Sequence, residues 1–546
     1  MTVAGDFRRL AERIVDDLLE ADPVSATWLG DHRFDGCLPD LSSAGTAALL
    51  ARIDDHITEL DAVDELELDV PHLVDLEILR ARLLRSRFEL DDLRRHEWDP
   101  MAWNPGTALH LLVSRDTTPA DERRAALASR VGLVPDLLAT ARGRLGGMSG
   151  IHVETAIAQL AGTGALLDGE VRAFLDDDAV VDEARRAVAE FAAWLEEMRP
   201  EATRDPRLGE RLYSGVLWHS LEEEATADAL LADASDHLAH LADAIADAAR
   251  DYLGHSAADG EDADLVRRAL GEVALRYPIT DATVLDEMRS ALAEAAEFTR
   301  ARDLMTVSDV DLQLMDMPAI HRGVAVAYCD APGPFERPGT PTFVAVAPTP
   351  EGWSQERVAS FYREYNGVQL HDLAIHEGIP GHVLQLAHAQ AHAGPTRARA
   401  LGRSGVFIEG WAVYAERLMV DSGYAPGTGP RAAAALRLQQ LKMQLRMTIN
   451  AILDVGVHAQ GMPEHEAMWL MTQVGFQEEG EAVGKWRRAL LTAGQLPTYY
   501  VGYRTVSDLV GDLEVLHDEW TPREIHDLVL SHGSIAPRHR RMLLGL

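Results

Sequence analysis

The chain has 546 residues, 47% hydrophobic and 25% charged, an ordinary balance for a globular protein and enough length for two lobes. Its 51 Lys and Arg against 88 Asp and Glu leave a net charge of −37, which repels phosphate backbones and anionic bilayers, so neither nucleic acid nor a membrane is an expected partner. Two cysteines, Cys37 and Cys329, cannot build a disulfide framework at this length and predict a reduced, cytoplasmic setting.

The first residues contain no apolar run of signal-peptide type. Phe7, Leu10, Ile14 and Leu18 recur at helical spacing and predict an amphipathic helix. No stretch of about 18 apolar residues follows anywhere, so no membrane span is expected. Segments 45–100, 119–147, 150–200, 220–255 and 262–304 are rich in Ala, Leu, Glu and Arg, with apolar residues three to four apart, and read as helices. No solenoid-type period is present.

The texture changes near residue 305. Thr306 to Pro350 is richer in β-branched and aromatic residues, with prolines and glycines between them. Segments 324–328 (VAVAY) and 342–346 (TFVAV) are strand candidates flanking the turn-rich APGPFERPGTP. After Trp353 helical texture returns, with one Gly/Pro-bearing break at AGQLPTYYVGY, 493–503. The expected fold is mainly α, a two-lobed helical zincin-like architecture with a small β-sheet near 320–350. A helical N-terminal lobe would span 1–310 and a catalytic lobe 311–546.

The chemistry concentrates in QLHDLAIHEGIPGHVLQL, 369–386, which holds His376, Glu377 and His382. The zincin pattern H-E-x-x-H sets two histidines four apart on one helix face, with the glutamate activating a metal-bound water. Here the second histidine is six residues on, and on an unbroken helix the rings would point roughly 120° apart. Pro380 lacks an N–H and would clash with the carbonyl of His376, while the glycines permit unusual backbone angles. The sequence therefore predicts a helix that breaks after Glu377 and restarts near His382, bringing both imidazoles to one metal.

A third ligand is expected from IEGWAVYAE, 408–416. Glu409 lies 27 residues after His382, and its setting is similar to the asparagine-glutamate-glycine-aromatic stretch of gluzincin aminopeptidases. Gly410 is expected to leave room beside the metal. Glu416, seven residues on, shares the face of Glu409 and is expected to orient a ligand histidine or a substrate amine. His388 and His392 read as a surface pair, His371 as a possible supporting residue, and His237 with His240 as no site. No G-x-S-x-G elbow, P-loop or dinucleotide fingerprint occurs, and neither cysteine has a nucleophile's setting.

Across nearly its whole length the chain resembles the domain-of-unknown-function 885 family. HEGIPGHVLQ, EGWAVYAE, RMTINAILDVGVHAQGM and AGQLPTYYVGY look like that family's successive motifs, and ATWLGDHRFDGCLPDLS (26–42) is similar to its N-terminal pattern. The family's usual proline-glycine-glutamine-alanine-leucine-serine-tyrosine stretch is matched by Gly494, Gln495 and Tyr499, while Ala493, Leu496, Pro497, Thr498 and Tyr500 depart. The resemblance implies a helical, zincin-like core and membership of a group generally regarded as metallopeptidases of poorly known substrate. His458 matches a family histidine, and it or Tyr499 would steady the developing oxyanion, with Tyr500 able to share that work. Tyr500, Arg446 and Arg487 are the candidates for substrate binding. Arg488 joins the arginines as a possible carboxylate clamp.

The expected activity is that of a zinc-dependent hydrolase with one zinc per chain on His376, His382 and Glu409, and Glu377 as general base. It would cleave small or medium peptides. The alternatives are a zinc amidase acting on a non-peptide amide and a non-catalytic peptide-binding protein. Zinc is preferred over manganese or cobalt on ligand type alone.

Overall fold

A computed structural model describes all residues except 1, 224, 255–260, 318–326, 351, 393, 428 and 430. The first helix, Val3–Ala21, starts where the Thr2 hydroxyl accepts from the Gly5 N–H, and it buries Phe7, Ala11, Ile14, Val15 and Leu19 along one stripe. The helices that follow also bury apolar residues, with or without a side-chain cap: Ser43–Asp61, Val70–Phe88, Ala120–Arg144, Gly150–Leu166 and Asp178–Met198 in the first part of the chain, then Ala227–Leu253, Asp262–Arg276 and Val284–Ala301. The fold is mainly helical, as the periodicity predicts. Among the described residues no helix is long and apolar enough to cross a membrane.

The chain forms two compact units. One comprises 1–206 with two later excursions, 332–340 and 393–402; the other comprises 207–331, 341–392 and 403–546. The boundary predicted at 310 is thus displaced to 206. The change of texture near 305 marks the sheet rather than the edge of a unit. Helix Ala227–Leu253 looks in sequence like the helices before it, yet its Leu241, Ile245, Ala249 and Leu253 share one core with Ile375, Trp411 and Leu441.

In the first unit the excursions are held by buried charge. Asp75 is fully buried, and its carboxylate accepts from Arg399 Nε at 2.7 Å, Thr396 N at 3.0 Å and Thr396 Oγ1 at 2.7 Å. His32 sits between Asp35, at 2.8 Å, and Glu336, at 3.2 Å.

The second unit carries a three-stranded sheet in the order β1 (Leu312–Asp316), β3 (Thr342–Val346), β2 (Ala327–Asp330). β1 runs parallel and β2 antiparallel to β3. β3 coincides with the predicted 342–346 strand. Of the predicted 324–328 strand, residues 324–326 lie outside the described residues, and β2 continues from 327 to 330. The expected break at 493–503 shrinks to 492–496, because Pro497 opens the helix Pro497–Leu516, where its missing N–H costs nothing.

Candidate metal centre

Four segments of the second unit build the site. Helix Gly367–Glu377 begins at Asn366, whose side chain accepts from the N–H groups of Val368 and Gln369, and it ends at Glu377. The next helix, His382–Ala391, starts at the second histidine. Between them Gly378–Gly381 forms a tight turn containing a cis Ile379–Pro380 peptide. Gly381 N–H donates to Ile375 O at 3.0 Å, and Trp411 Nε1 donates to Pro380 O at 2.9 Å. A Cβ on Gly381 would lie 2.0 Å from His376 O, so only glycine lets the chain fold back this closely.

The turn swings the imidazoles together, with ring centroids 4.7 Å apart and planes at 84°. Helix Gly405–Asp421 brings Glu409 to them, and its Oε2 lies 3.5 Å from His376 Nε2 and 3.5 Å from His382 Nε2. All three ligand atoms fall within 4.8 Å of one another. Two atoms each bonded to a tetrahedral zinc at about 2.0–2.1 Å stand about 3.3 Å apart. The 3.5 Å spacing fits that arrangement, and Glu409 Oε2 is buried without a hydrogen-bond partner of its own. The donor set is therefore matched to a divalent transition ion.

Glu416 supports the first histidine: its Oε1 lies 2.6 Å from His376 Nδ1. A carboxylate there accepts the Nδ1 proton and leaves Nε2 as the lone-pair nitrogen. Asp372, one helical turn before His376, is fully enclosed, with Gln369 Nε2 donating to its Oδ2 at 3.2 Å. Burial, and then the neighbouring Glu416, push the Asp372 carboxyl well above its usual range. Burial raises Glu416 as well, against the pull of His376. For Glu409 burial is outweighed by the two imidazoles, which hold its carboxyl well below the usual range.

Glu377 faces the sheet. Its Oε2 accepts from the Cys329 N–H on edge strand β2 at 2.9 Å. Burial is the main influence on this carboxyl and raises it, while the two histidines act in the opposite sense. A carboxylate with a raised proton affinity, beside the ligands and fixed by one backbone donor, is suited to accepting and returning a proton.

The other predicted residues divide. Tyr499 feels the charge of the centre: burial raises its phenol and the Glu409 carboxylate adds to that, while Arg488 and His376 act in the opposite sense. His458 does not belong. Its Nε2 donates toward Ala489 O at 2.8 Å and Thr492 O at 2.9 Å, its Nδ1 accepts from Leu208 N–H at 3.4 Å, and its ring stacks on Tyr213. Both nitrogens are committed to backbone, so the expected oxyanion role is withdrawn. Tyr500 turns from the ligands and donates to Asp233 Oδ2 at 2.6 Å. Arg446 is paired with Glu481 and with the Tyr365 hydroxyl. Arg487 is half-buried and has an interaction of its own.

His371 bonds Tyr424 rather than a ligand, and His388 bonds Thr306 O. Gly410 packs against Gly502 of helix Pro497–Leu516, where a Cβ would lie 2.2 Å from Gly502 C, so its small size serves helix crossing rather than space at the metal. Sequence reasoning missed Asp372 and the Cys329 N–H. Asp372 was findable four residues before His376; the strand contact had no sequence signal.

The chain matches the family described as "Bacterial protein of unknown function (DUF885)" over residues 23–541. It is similar to the solved structure of "a putative lipoprotein of unknown function from Shewanella oneidensis", at 26% identity and a TM-score of 0.81, over 99% of this chain and 100% of that one. It also shares the fold of a structure described as "the putative lipoprotein from Colwellia psychrerythraea", at 15% identity and a TM-score of 0.80, over 100% of this chain and 99% of that one. No curated protein matches. With the match running from Pro23 almost to its end, the chain belongs to the DUF885 family of bacterial proteins.

Proposed function

We propose that the protein is a metal-dependent hydrolase of zincin-like architecture, a metallopeptidase of the gluzincin type acting on small or medium peptides. The observation that supports this reading is the convergence of His376 Nε2, His382 Nε2 and Glu409 Oε2 at 3.5 Å spacings, with Glu377 alongside. A zinc ion held there supplies Lewis acidity toward a carbonyl oxygen and a lowered pKa for water. Glu377 takes a proton from the attacking water and passes it to the leaving amine. The Cys329 N–H holds that carboxylate in place through the transfer. Tyr499, whose hydroxyl lies 3.2 Å from Gln495 Nε2, is the hydroxyl near the ligands available to donate to a developing oxyanion. Glu416 keeps His376 in the tautomer that ligates. The Glu409 side chain retains 21% exposure, which leaves the centre open to a substrate.

A binding protein without turnover has no need of Glu377, and this separates it from a hydrolase. Elemental analysis of protein purified without chelator should find about one zinc per chain. Glu377→Gln should keep that zinc and lower turnover of a responsive peptide by about 10²-fold or more. A metal content near zero that zinc addition does not raise would refute the reading, and full activity in Glu377→Gln would remove the assigned base.

A further inference from the structure

Two hydrogen bonds away from Tyr499 lies a cluster of positive charge that the proposed chemistry does not use. Helix Glu479–Leu491 presents Glu481, Lys485 and Arg488 on one face, four and then three residues apart. The acids of this neighbourhood are already matched. Glu364 takes Lys442 at 2.8 Å, Glu478 takes Arg363 at 2.7 Å, and Glu481 takes Arg446. Two cations remain. Lys485 is only 6% exposed, and among the described residues it makes no hydrogen bond or ion pair. Arg488 has one side-chain hydrogen bond, to the neutral Gln495 Oε1 at 2.6 Å.

An enclosed ammonium beside two guanidinium groups is unfavourable unless an anion joins it. Burial, and then the Arg446 charge, push the Lys485 amine well below its usual range, and the pull of Glu481 and Glu364, already paired elsewhere, does not offset them. The cluster connects to the centre in two steps. Arg488 holds Gln495, and Gln495 Nε2 donates to the Tyr499 hydroxyl at 3.2 Å. Tyr499 in turn feels both Arg488 and the ligand Glu409. In a protein of net charge −37, the buried Lys485 and the half-buried Arg488, neither of them in a salt bridge among the described residues, mark a place for a substrate's negative charge.

We propose that Lys485 and Arg488 form a carboxylate-binding subsite beside the His376–His382–Glu409 centre, so that the substrate is a peptide anchored by a carboxylate group. This rests on the hydrolase reading and names its substrate class. The carboxylate belongs to the peptide's C-terminus or to an acidic side chain. Arg446 is excluded from the role by Glu481, and Arg487 lies off the helix face that Lys485 and Arg488 share.

Binding tests this separately from turnover. Three probes are titrated calorimetrically into the zinc-supplemented Glu377→Gln protein: an N-acetyl tripeptide with a free C-terminal carboxylate, its C-terminal amide, and the amide with one residue changed to glutamate. At least one carboxylate-bearing probe should bind about tenfold or more tighter than the plain amide. Which one does identifies the source of the charge. The preference should fall toward unity in Arg488→Gln, and in Lys485→Met where circular dichroism shows that variant folded. No preference, no binding of any probe, or a preference surviving in Arg488→Gln overturns the subsite. Turnover of the same peptides by the unmodified protein judges the hydrolase reading. Preference without turnover sinks that reading and keeps the subsite, while turnover without preference does the reverse.

Discussion

At the scale of single residues, the candidate centre places three glutamates in three different settings, as the sequence ranks them. Glu409 and Glu416 share one helix face, but only Glu409 reaches both Nε2 atoms, whereas Glu416 meets the far nitrogen of His376. Glu409→Ala is expected to lose most of the zinc. Glu416→Gln should still bind zinc, with affinity lowered by about 10- to 100-fold. Competition with a chelator, with folding followed by circular dichroism, measures both. An emptied Glu416→Gln beside a loaded Glu409→Ala would reverse the assignment. Much of this was legible: His376, Glu377, His382 and Glu409 stand in a recognisable order, and seven-residue spacing placed Glu416. His458 was not legible, because a matching motif gives a side chain's identity and not its partners. Here the partners are the carbonyls of Ala489 and Thr492.

At the scale of elements, glycine positions decide whether the ligands can meet. A Cβ at Gly381 would stand 2.0 Å from His376 O and 2.3 Å from Ile375 O, both backbone atoms that cannot step aside. Gly381→Ala should therefore open the turn, lower zinc occupancy and drop the melting temperature by several degrees. Gly480→Ala, on a helix with nothing within 4 Å of the added carbon, is the matched control and should change neither. Equal behaviour of the two variants would show that the turn does not govern the site. The helix break was readable because Pro380 removes an N–H and meets the His376 carbonyl, and two flanking glycines weaken the helix further. β1 was not readable: LQLMD contains no β-branched residue, and it becomes a strand only by pairing in parallel with β3.

For the whole molecule, stability and covalent path matter more than any one contact. Burial opposes charge on His32, but Asp35 and Glu336 overcome it and push the imidazole up to about 9. Because the folded value lies above the ordinary 6.5, this contribution is complete below about pH 6.5 and disappears as pH rises through 9. It amounts to an order of 2–3 kcal/mol. Melting of the unmodified protein and His32→Gln at pH 6 and pH 9.5 checks it. The gap between them should be wide at pH 6 and narrow at pH 9.5, and a constant gap would rule out the linkage. The two-unit division was only half legible, since composition reports which segments are helical and not which core each helix enters. The fragment 1–206 lacks both excursions and leaves the Asp75 carboxylate buried without Arg399. It should show no cooperative thermal transition by circular dichroism, and a sharp one would mean the excursions are dispensable.

The path of the chain also sets a timetable. Arg399 follows Asp75 by 324 residues, so the acid is made long before the base that completes its pocket. At about 5–20 residues per second, tens of seconds of synthesis separate them. The first helices emerge from the ribosome into a fold that must wait for a segment encoded beyond His376 and His382. The N-terminal unit, first to be started, is not complete until residue 402 has been made, so its interior stays half-built through most of the chain's synthesis.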